Sequence, residues 1–233
     1  MSQAGGAMEA IASSSRAKSN RKHAFNTQAY LDSVGVARKV VEYRRSEKAY
    51  SQGDPPTDVM YIQKGEMKLS VVNEVGREAV VAILGPGDFF GEGCLASQSV
   101  RKETATALTG AFVLAIQKDE MIRVLHVERA FADRFITYML ERNGRIEEDL
   151  IDQLFNSSEK RLARTLLQLT RYGRQEEPQK MLPNVSQEML AQKIGTTRTR
   201  VSYFMTKFRK LGFIGYDGGL HINPSLLSVL LHE

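Results

Sequence analysis

The chain has 233 residues, a length that suits two domains, each large enough to bury a core. It contains no apolar run as long as a membrane span, and its N-terminus lacks the apolar core of a secretory leader, so we expect a cytoplasmic protein without a membrane partner. The single cysteine, Cys94, excludes a disulfide framework and a four-cysteine cluster site, and the four histidines are scattered without metal-ligand spacing.

The excess of positive charge lies in the C-terminal third. Residues 157–233 contain 12 Lys and Arg against 6 Asp and Glu, a net charge of +6, whereas residues 1–156 have a net charge of −1. Because Lys and Arg neutralise phosphates and supply most non-specific affinity for DNA, this asymmetry favours a nucleic-acid-binding module in residues 157–233.

The N-terminal half is predicted to be a short tail followed by a β domain. Residues 1–25 are rich in Ser, Ala and Gly, and we expect them to be disordered. A short helix is expected near Thr27–Val34. Apolar runs separated by Gly, Pro, Asp or Asn, at a spacing of roughly 8–12 residues, then predict a jelly-roll barrel within residues 26–127. These runs are Val40–Tyr43, Val59–Gln63, Met67–Val72 and Ala79–Leu84.

Residues 128–156 are predicted to form a long dimerisation helix and a hinge near Asn156–Ser158. Steps of three and four residues define a coiled-coil seam, in which Asn143 favours a two-stranded pairing. The alternative is a single long helix packed on its own domain. The predicted seam consists of Ile136, Met139, Asn143, Ile146, Leu150 and Gln153.

Residues 157–233 show the pattern of a winged helix-turn-helix. Ser186 is a good N-cap, Gly195 breaks the first helix, and Thr197 can cap a second helix. Two short β runs around Asp217-Gly218-Gly219 predict a hairpin that follows them. The second helix buries an apolar stripe and leaves a polar face suited to the major groove, although a solvated helical hairpin shows the same pattern. The polar face, with its N-cap, comprises Thr197, Arg198, Thr199, Arg200, Ser202, Tyr203 and Lys207.

A third motif lies in the β domain, where Gly87–Glu92 precedes Arg101 and then Thr104-Ala105. Glycines allow backbone N–H groups to approach an anion, an Arg can clamp a phosphate, and a Glu can accept from a sugar hydroxyl. The motif therefore describes a pocket for a small phosphorylated sugar. A tight turn with a surface Glu–Arg ion pair is the alternative.

These motifs, in this order from about residue 30 onwards, resemble the CRP/FNR family of bacterial transcription regulators. The residues Phe90-Gly91-Glu92, Leu95, Arg101 and Thr104-Ala105 are similar to the phosphate-binding cassette of that family. The resemblance implies an α+β fold: a double-stranded β-helix (jelly-roll) barrel of the cyclic-nucleotide-binding type, a long dimerisation helix and a winged helix-turn-helix. It also implies a homodimer that binds palindromic double-stranded DNA, with RNA polymerase as a further partner.

The same resemblance assigns ligand-binding roles, with Glu92 on the ribose 2′-hydroxyl and Arg101 on a cyclic phosphate. Lys102 stands where cyclic-AMP receptors have Ser or Thr, Glu103 adds negative charge, and the adenine-reading positions hold Ile146 and Glu147. Cyclic AMP, cyclic GMP and control without a nucleotide therefore stay open, while the single cysteine excludes an iron–sulfur cluster. The expected ligand-binding residues are Phe90, Gly91, Glu92, Arg101, Lys102, Thr104, Ile146 and Glu147.

For DNA, the resemblance places Arg198, Thr199 and Tyr203 at base-reading positions. Thr199 replaces a Glu that is common in the family, so the operator should differ from the usual ones. Phosphate contacts are expected from Thr197, Arg200 and Lys207. A sensor that acts through protein contacts is the competing class. An enzyme is not expected, because no nucleophile with its base, metal site or catalytic dyad is evident.

Overall fold

The computed structural model describes residues 26–32, 36–172, 186–216 and 219–231, so the predicted disordered tail lies outside the described residues. Within these ranges the α+β fold class is confirmed, with a β-barrel, a long helix and a winged helix-turn-helix. No helix in them is long and apolar enough to cross a membrane.

The barrel consists of eight strands in two four-stranded sheets. In chain order they are β1 (Lys39–Tyr43), β2 (Lys48–Tyr50), β3 (Asp58–Lys64), β4 (Met67–Val72), β5 (Glu78–Leu84), β6 (Phe89–Phe90), β7 (Thr104–Ala107) and β8 (Ala111–Gln117). One sheet has the order β1-β8-β3-β6 and the other β2-β7-β4-β5, and the pairs are antiparallel. In the second sheet β5 is therefore an edge strand.

The remaining elements surround the barrel or form the C-terminal domain. They are α1 (Thr27–Leu31), α2 (Lys118–Val127), α3 (Arg129–Phe155), α4 (Ser158–Tyr172), α5 (Gln187–Ile194), α6 (Arg198–Lys210), β9 (Ile214–Tyr216), β10 (Leu220–Ile222) and α7 (Ser228–Leu231). The pairing of β9 with β10 forms the wing. Burial of one face of α4, α5 and α6 builds a separate apolar core for this domain.

Phe89 attaches the long helix α3 to the barrel. Its ring lies 5.2 Å from the ring of Phe135 and 5.5 Å from that of Tyr138, both in edge-to-face geometry. The Tyr138 hydroxyl accepts from the Phe89 backbone N–H at 3.0 Å and donates to the Phe89 carbonyl oxygen at 3.1 Å. Aromatic packing and paired hydrogen bonds thus fix the helix beside the strand that leads into the cassette.

Three members of the predicted dimer seam have neighbours within the subunit, and the seam itself stays a prediction. Met139 packs against the core between barrel and helices, Ile146 lines a cavity beside β5, and Gln153 lies next to Gly195 of the C-terminal domain. The outward flank of α3 also exposes Leu140 and Leu154, by 68% and 66%, and Ile146 is itself 52% exposed. The exposed stripe, named here the outer stripe, consists of Ile136, Leu140, Asn143, Glu147, Leu150 and Leu154.

The two helices of the helix-turn-helix form where the caps predicted them. The Ser186 side chain accepts from the Met189 N–H at 3.1 Å, and the Thr197 side chain accepts from the Arg200 N–H at 3.3 Å. Gly195 ends α5 in the left-handed conformation with φ of 66°. Because a single residue, Thr196, separates this glycine from the second cap, α6 begins directly after the left-handed turn that ends α5.

Candidate ligand pocket and nucleic-acid interface

The Arg101 guanidinium is bound to the backbone of the barrel. Its Nη1 donates to the carbonyl oxygen of Gly91 at 2.7 Å, and its Nη2 donates to that of Asp58 at 2.8 Å. The side chain is buried and lies over the Tyr50 ring, 4.3 Å from the ring centroid. A charged donor pairs here with two carbonyl oxygens and with an aromatic face, so Arg101 ties the cassette to the start of β3.

Gly91 makes this approach sterically feasible. Its φ is +75°, and a Cβ atom there would lie 2.5 Å from Arg101 Nη1 and 3.0 Å from the Asp58 carbonyl oxygen. A larger residue would therefore push the guanidinium out of its position and strain the backbone. Gly91 thus leaves open the space that the Arg101 guanidinium occupies.

Glu92 pairs with the long helix. Its Oε1 accepts from Arg142 Nη1 at 3.0 Å, and the same nitrogen donates to the Phe89 carbonyl oxygen at 3.1 Å. Burial opposes the charge of Arg142, but the Glu92 carboxylate together with Tyr138 and Glu103 raises the pKa of the guanidinium overall, so it stays charged. Glu92 Oε2 and Arg101 Nε are both buried without a hydrogen-bond partner among the described residues.

Tyr50 and Glu103 form the wall beside Arg101. The Tyr50 hydroxyl donates to Glu103 Oε1 at 3.0 Å. Burial first, and then the Glu103 carboxylate, raise the pKa of Tyr50 well above its usual range, so the phenol keeps its proton and its donor role. The negative charge that Glu103 brings to the motif is therefore engaged by a neutral donor.

Two of the other predicted ligand residues of the barrel, Phe90 and Thr104, have structural roles in this arrangement. Phe90 is fully buried in the barrel core. The Thr104 hydroxyl accepts from the Gln52 N–H at 2.9 Å, which joins β7 to the end of β2. Lys102 is exposed.

On α3, the structure places the two residues at the predicted adenine-reading positions, Ile146 and Glu147, on different flanks. Ile146 faces β5, whereas Glu147 lies on the outer stripe and accepts from Asn143 Nδ2 at 2.9 Å. The structure therefore does not bring Glu147 to the cassette of its own subunit.

The sequence did not predict three groups that contact Glu92 or Arg101: the side chains of Arg142 and Tyr50 and the carbonyl group of Asp58. Arg142 had a detectable signal, since it lies one helical turn before Ile146 on α3 and presents a cation to the same side as that predicted pocket residue. Tyr50 and Asp58 had none, because their contacts depend on how the strands meet in the barrel.

Cys94 lies in the short 3-10 turn after Glu92 and is buried. Burial raises the pKa of its thiol above the ordinary value, and the nearby Arg101 and Lys118 do not offset this effect. A buried thiol of raised pKa is a poor nucleophile, so the structure favours a packing role.

The candidate DNA-reading face of α6 is open to solvent. Arg198, Thr199 and Tyr203 are exposed, while the opposite face of the helix is buried in the core of the domain. Thr197 uses its hydroxyl as the N-cap of α6. The remaining predicted contacts, Arg200 and Ser202, are exposed as well.

Lys207 differs from the other predicted DNA contacts, because its Nζ lies 2.7 Å from Glu159 Oε1 on α4. The Glu159 carboxylate raises the pKa of Lys207 above its ordinary value. A phosphate contact by Lys207 therefore requires the ammonium to exchange or share its partner. The assignment of Lys207 to phosphate stays a prediction.

We expect Arg101→Ala to destabilise the protein in the absence of any ligand. The change leaves two carbonyl oxygens without their charged donor and should lower the free energy of unfolding by about 2–4 kcal/mol. Urea denaturation followed by tyrosine fluorescence or circular dichroism measures this change. The matched control is the exposed neighbour, Lys102→Ala, for which we expect a change within about 0.5 kcal/mol. Equal stability of both variants would contradict the structural role of Arg101.

Comparison with known proteins identifies both domains. The Cyclic nucleotide-binding domain family matches residues 40–127 and the Crp-like helix-turn-helix domain family matches residues 160–227, which together cover more than half of the chain. The chain is 27% identical over 180 residues to the CRP-like cAMP-activated global transcriptional regulator of Mycobacterium tuberculosis, a match that covers 76% of this chain and 80% of that protein. It is 25% identical over 189 residues to the Cyclic AMP receptor protein of Thermus thermophilus, covering 80% and 82%.

Solved structures show the same fold. FixK2 from Bradyrhizobium japonicum superposes with a TM-score of 0.73 at 19% identity, over 83% of this chain and 96% of that chain. A mutant of CooA from Carboxydothermus hydrogenoformans superposes with a TM-score of 0.70 at 19% identity, over 88% and 94%. With both family matches and the shared order of barrel, long helix and helix-turn-helix, the chain belongs to the CRP/FNR family of transcription regulators.

Proposed function

We propose that this protein is a homodimeric, sequence-specific DNA-binding regulator whose affinity for a palindromic operator is set by a small ligand in the barrel. The observation that carries the proposal is the α6 helix, whose apolar face is locked into the domain core while its Arg, Thr and Tyr side chains face solvent. Two such helices, one per subunit, would read half-sites about 34 Å apart. A cytoplasmic location and a contact with RNA polymerase belong to the same proposal.

A cyclic nucleotide is the first candidate ligand. In support, the cassette contains two buried polar atoms, Glu92 Oε2 and Arg101 Nε, that have no hydrogen-bond partner among the described residues. Buried polar atoms are normally satisfied, and a ribose hydroxyl and a phosphate offer the complementary donor and acceptor. The relatives named above are described as cAMP-activated and as a cyclic AMP receptor. The adenine-reading positions of this chain, Ile146 and Glu147, differ from those of cyclic-AMP receptors. The purine of the nucleotide therefore stays open between adenine and guanine.

A second candidate function is DNA binding without a cyclic nucleotide. It is favoured by the contacts of Arg101, whose two terminal nitrogens already bind carbonyl oxygens at 2.7 and 2.8 Å. Glu92 is likewise paired with Arg142. In this case the cassette is a structural part of the barrel, and the regulator responds to its abundance or to another effector.

The route from pocket to DNA would run through α3. This helix contacts the cassette through Arg142 and the C-terminal domain through Asp152, whose Oδ2 lies 2.8 Å from Arg164 Nε on α4. A ligand that displaces Arg142 from Glu92 would alter one end of a helix whose other end precedes the predicted hinge. Allosteric coupling of this kind is typically worth ~1–3 kcal/mol.

Sequence-specific DNA binding can be tested on α6. Arg198→Ala should weaken binding to a selected operator by about 1–3 kcal/mol and relax the preference at one base pair, because a bidentate Arg–guanine contact is lost. Lys207→Ala should weaken all sequences alike. Anisotropy titrations over a range of salt concentrations measure both effects, with a slope near −0.9 per phosphate contacted. If the protein binds no DNA even at low salt, the competing class is favoured, namely a sensor that acts through protein contacts.

The ligand can be tested by calorimetric titration of the full-length protein with cyclic AMP, cyclic GMP and non-cyclic AMP. We expect micromolar binding of a cyclic nucleotide, weakened at least tenfold (about 1.4 kcal/mol) in Glu92→Gln, because the amide is a poorer acceptor for a ribose hydroxyl. Glu92→Gln is preferred to Arg101→Ala, which removes a structural contact. Glu74→Gln, on an exposed turn, is the control. No heat with any nucleotide, from protein that still binds DNA, would favour the second candidate.

The homodimer can be tested on the outer stripe of α3. Leu150 is 57% exposed in the single chain, and a seam of such residues is the apolar surface that a second copy of the helix would cover. Leu150→Asp should raise the dimer dissociation constant at least tenfold in sedimentation experiments, since it buries a charge at the seam. Val75→Asp, at a position 78% exposed on the β4–β5 turn, is the matched control. Equal dissociation of both variants would place the interface elsewhere.

A further inference from the structure

The first helix of the helix-turn-helix, α5, packs against the edge strand β5 of the barrel. Lys193 of α5 lies at the centre of this contact. Its Nζ donates to Asp149 Oδ2 on α3 at 2.6 Å and to the Val81 carbonyl oxygen on β5 at 3.1 Å. One ammonium group therefore connects the DNA-binding domain, the long helix α3 and the barrel strand β5. Only 16% of the Lys193 side chain is exposed.

The preceding residue makes a second bridge. Gln192 Nε2 donates to Glu78 Oε2 on β5 at 3.1 Å, while the other oxygen of Glu78 accepts from Lys68 Nζ at 2.7 Å. Burial tends to raise the pKa of Glu78, but hydrogen bonds from Lys68, Ser70 and Gln192 together with the Lys68 charge lower it overall. The acceptor for Gln192 is thus a carboxylate that is itself held in place by β4.

The register of β5 explains why Val81 has a carbonyl oxygen to offer. Along β4, Leu69 pairs with Ala82 and the next residue, Ser70, pairs with Val80. Val81 is therefore an extra residue, a β-bulge whose backbone does not take a regular place in the ladder. The bulge lies on the edge of the sheet and turns an acceptor toward the incoming lysine.

This contact leaves the DNA-reading face of α6 open, since Arg198, Thr199 and Tyr203 are exposed while α5 is held against the barrel. The same strand, β5, ends at Leu84 and is followed by the turn that leads into Phe89 and the cassette. A displacement of β5 would therefore shift both the cassette and α5.

We propose that Gln192 and Lys193 form a polar latch, which holds the helix-turn-helix of a subunit against the β5 strand of the same subunit and sets its orientation. Lys193 acts as a positioning residue, because its ammonium reaches two other elements at once. The effect of the latch on operator affinity rests on the proposed function, but the latch itself does not, so its first test contains neither DNA nor ligand.

The test is a distance distribution measured by pulsed electron paramagnetic resonance on the full-length protein. Spin labels are placed at Val75→Cys on the β4–β5 turn and Leu211→Cys at the end of α6, both exposed positions, and the native Cys94 is buried. Labelled chains are diluted with an excess of unlabelled chains, so that distances within one subunit dominate. The latch variants are Lys193→Met, which keeps the aliphatic stem, and Asp149→Asn.

We expect a single narrow distribution in the parent and a broadened or shifted one in Lys193→Met. Asp149→Asn should change it in the same direction, and the double variant should be no broader than Lys193→Met, because both changes remove one shared interaction. Lys210→Met, an exposed lysine of the same domain, should leave the parent distribution unchanged. An unchanged distribution in Lys193→Met, or additive broadening in the double variant, would overturn the latch.

A second measurement separates the latch from general destabilisation and from the proposed function. Lys193→Met should leave the urea midpoint for unfolding of the barrel domain unchanged, and it should change the affinity for the operator at least threefold. A lowered midpoint together with a broad distribution would assign Lys193 a stabilising role only and overturn the positioning role. If the parent protein binds no DNA at all, the proposed function fails, whereas the distance measurement still decides the latch.

Discussion

The packing of Phe89 against α3 is the constraint on which the functional surfaces depend. Two aromatic contacts and a reciprocal pair of hydrogen bonds with Tyr138 fix the angle and rotation of the helix relative to the barrel. That rotation brings Arg142 to Glu92, leaves the outer stripe facing away, and directs Asp149 toward Lys193. One buried ring therefore decides which side of a long helix faces the cassette, which side faces solvent and which side faces the DNA-binding domain.

Local features of this fold could be predicted from the sequence because their signals are local. Ser186, Gly195 and Thr197 determine where α5 begins and ends and where α6 begins, through contacts within four residues along the chain. The spacing of the cassette predicted Glu92 and Arg101 as ligand-binding residues. It did not reveal that the guanidinium binds the Asp58 carbonyl oxygen, since that contact arises only when distant strands close the barrel.

The seam of α3 shows why a helical period alone is insufficient. Steps of three and four residues fit both the flank through Met139 and the flank through Leu140, one residue further along. Only the attachment of the helix to the barrel distinguishes them, and it covers Met139 while leaving Leu140 exposed. The sequence therefore predicted a long helix with an apolar stripe correctly, but its period did not distinguish between the two flanks.

The β5 strand has a consequence for the behaviour of the protein in concentrated solution. As an edge strand, it presents backbone groups that another chain could pair with, and its central segment carries Val80, Val81 and Ile83. The α5 helix covers this edge, and the bulge interrupts its regular register. Both features discourage strand addition between molecules. A state in which the DNA-binding domain separates from the barrel would expose this edge to strands of other molecules, so the contact between α5 and β5 also protects the protein from self-association.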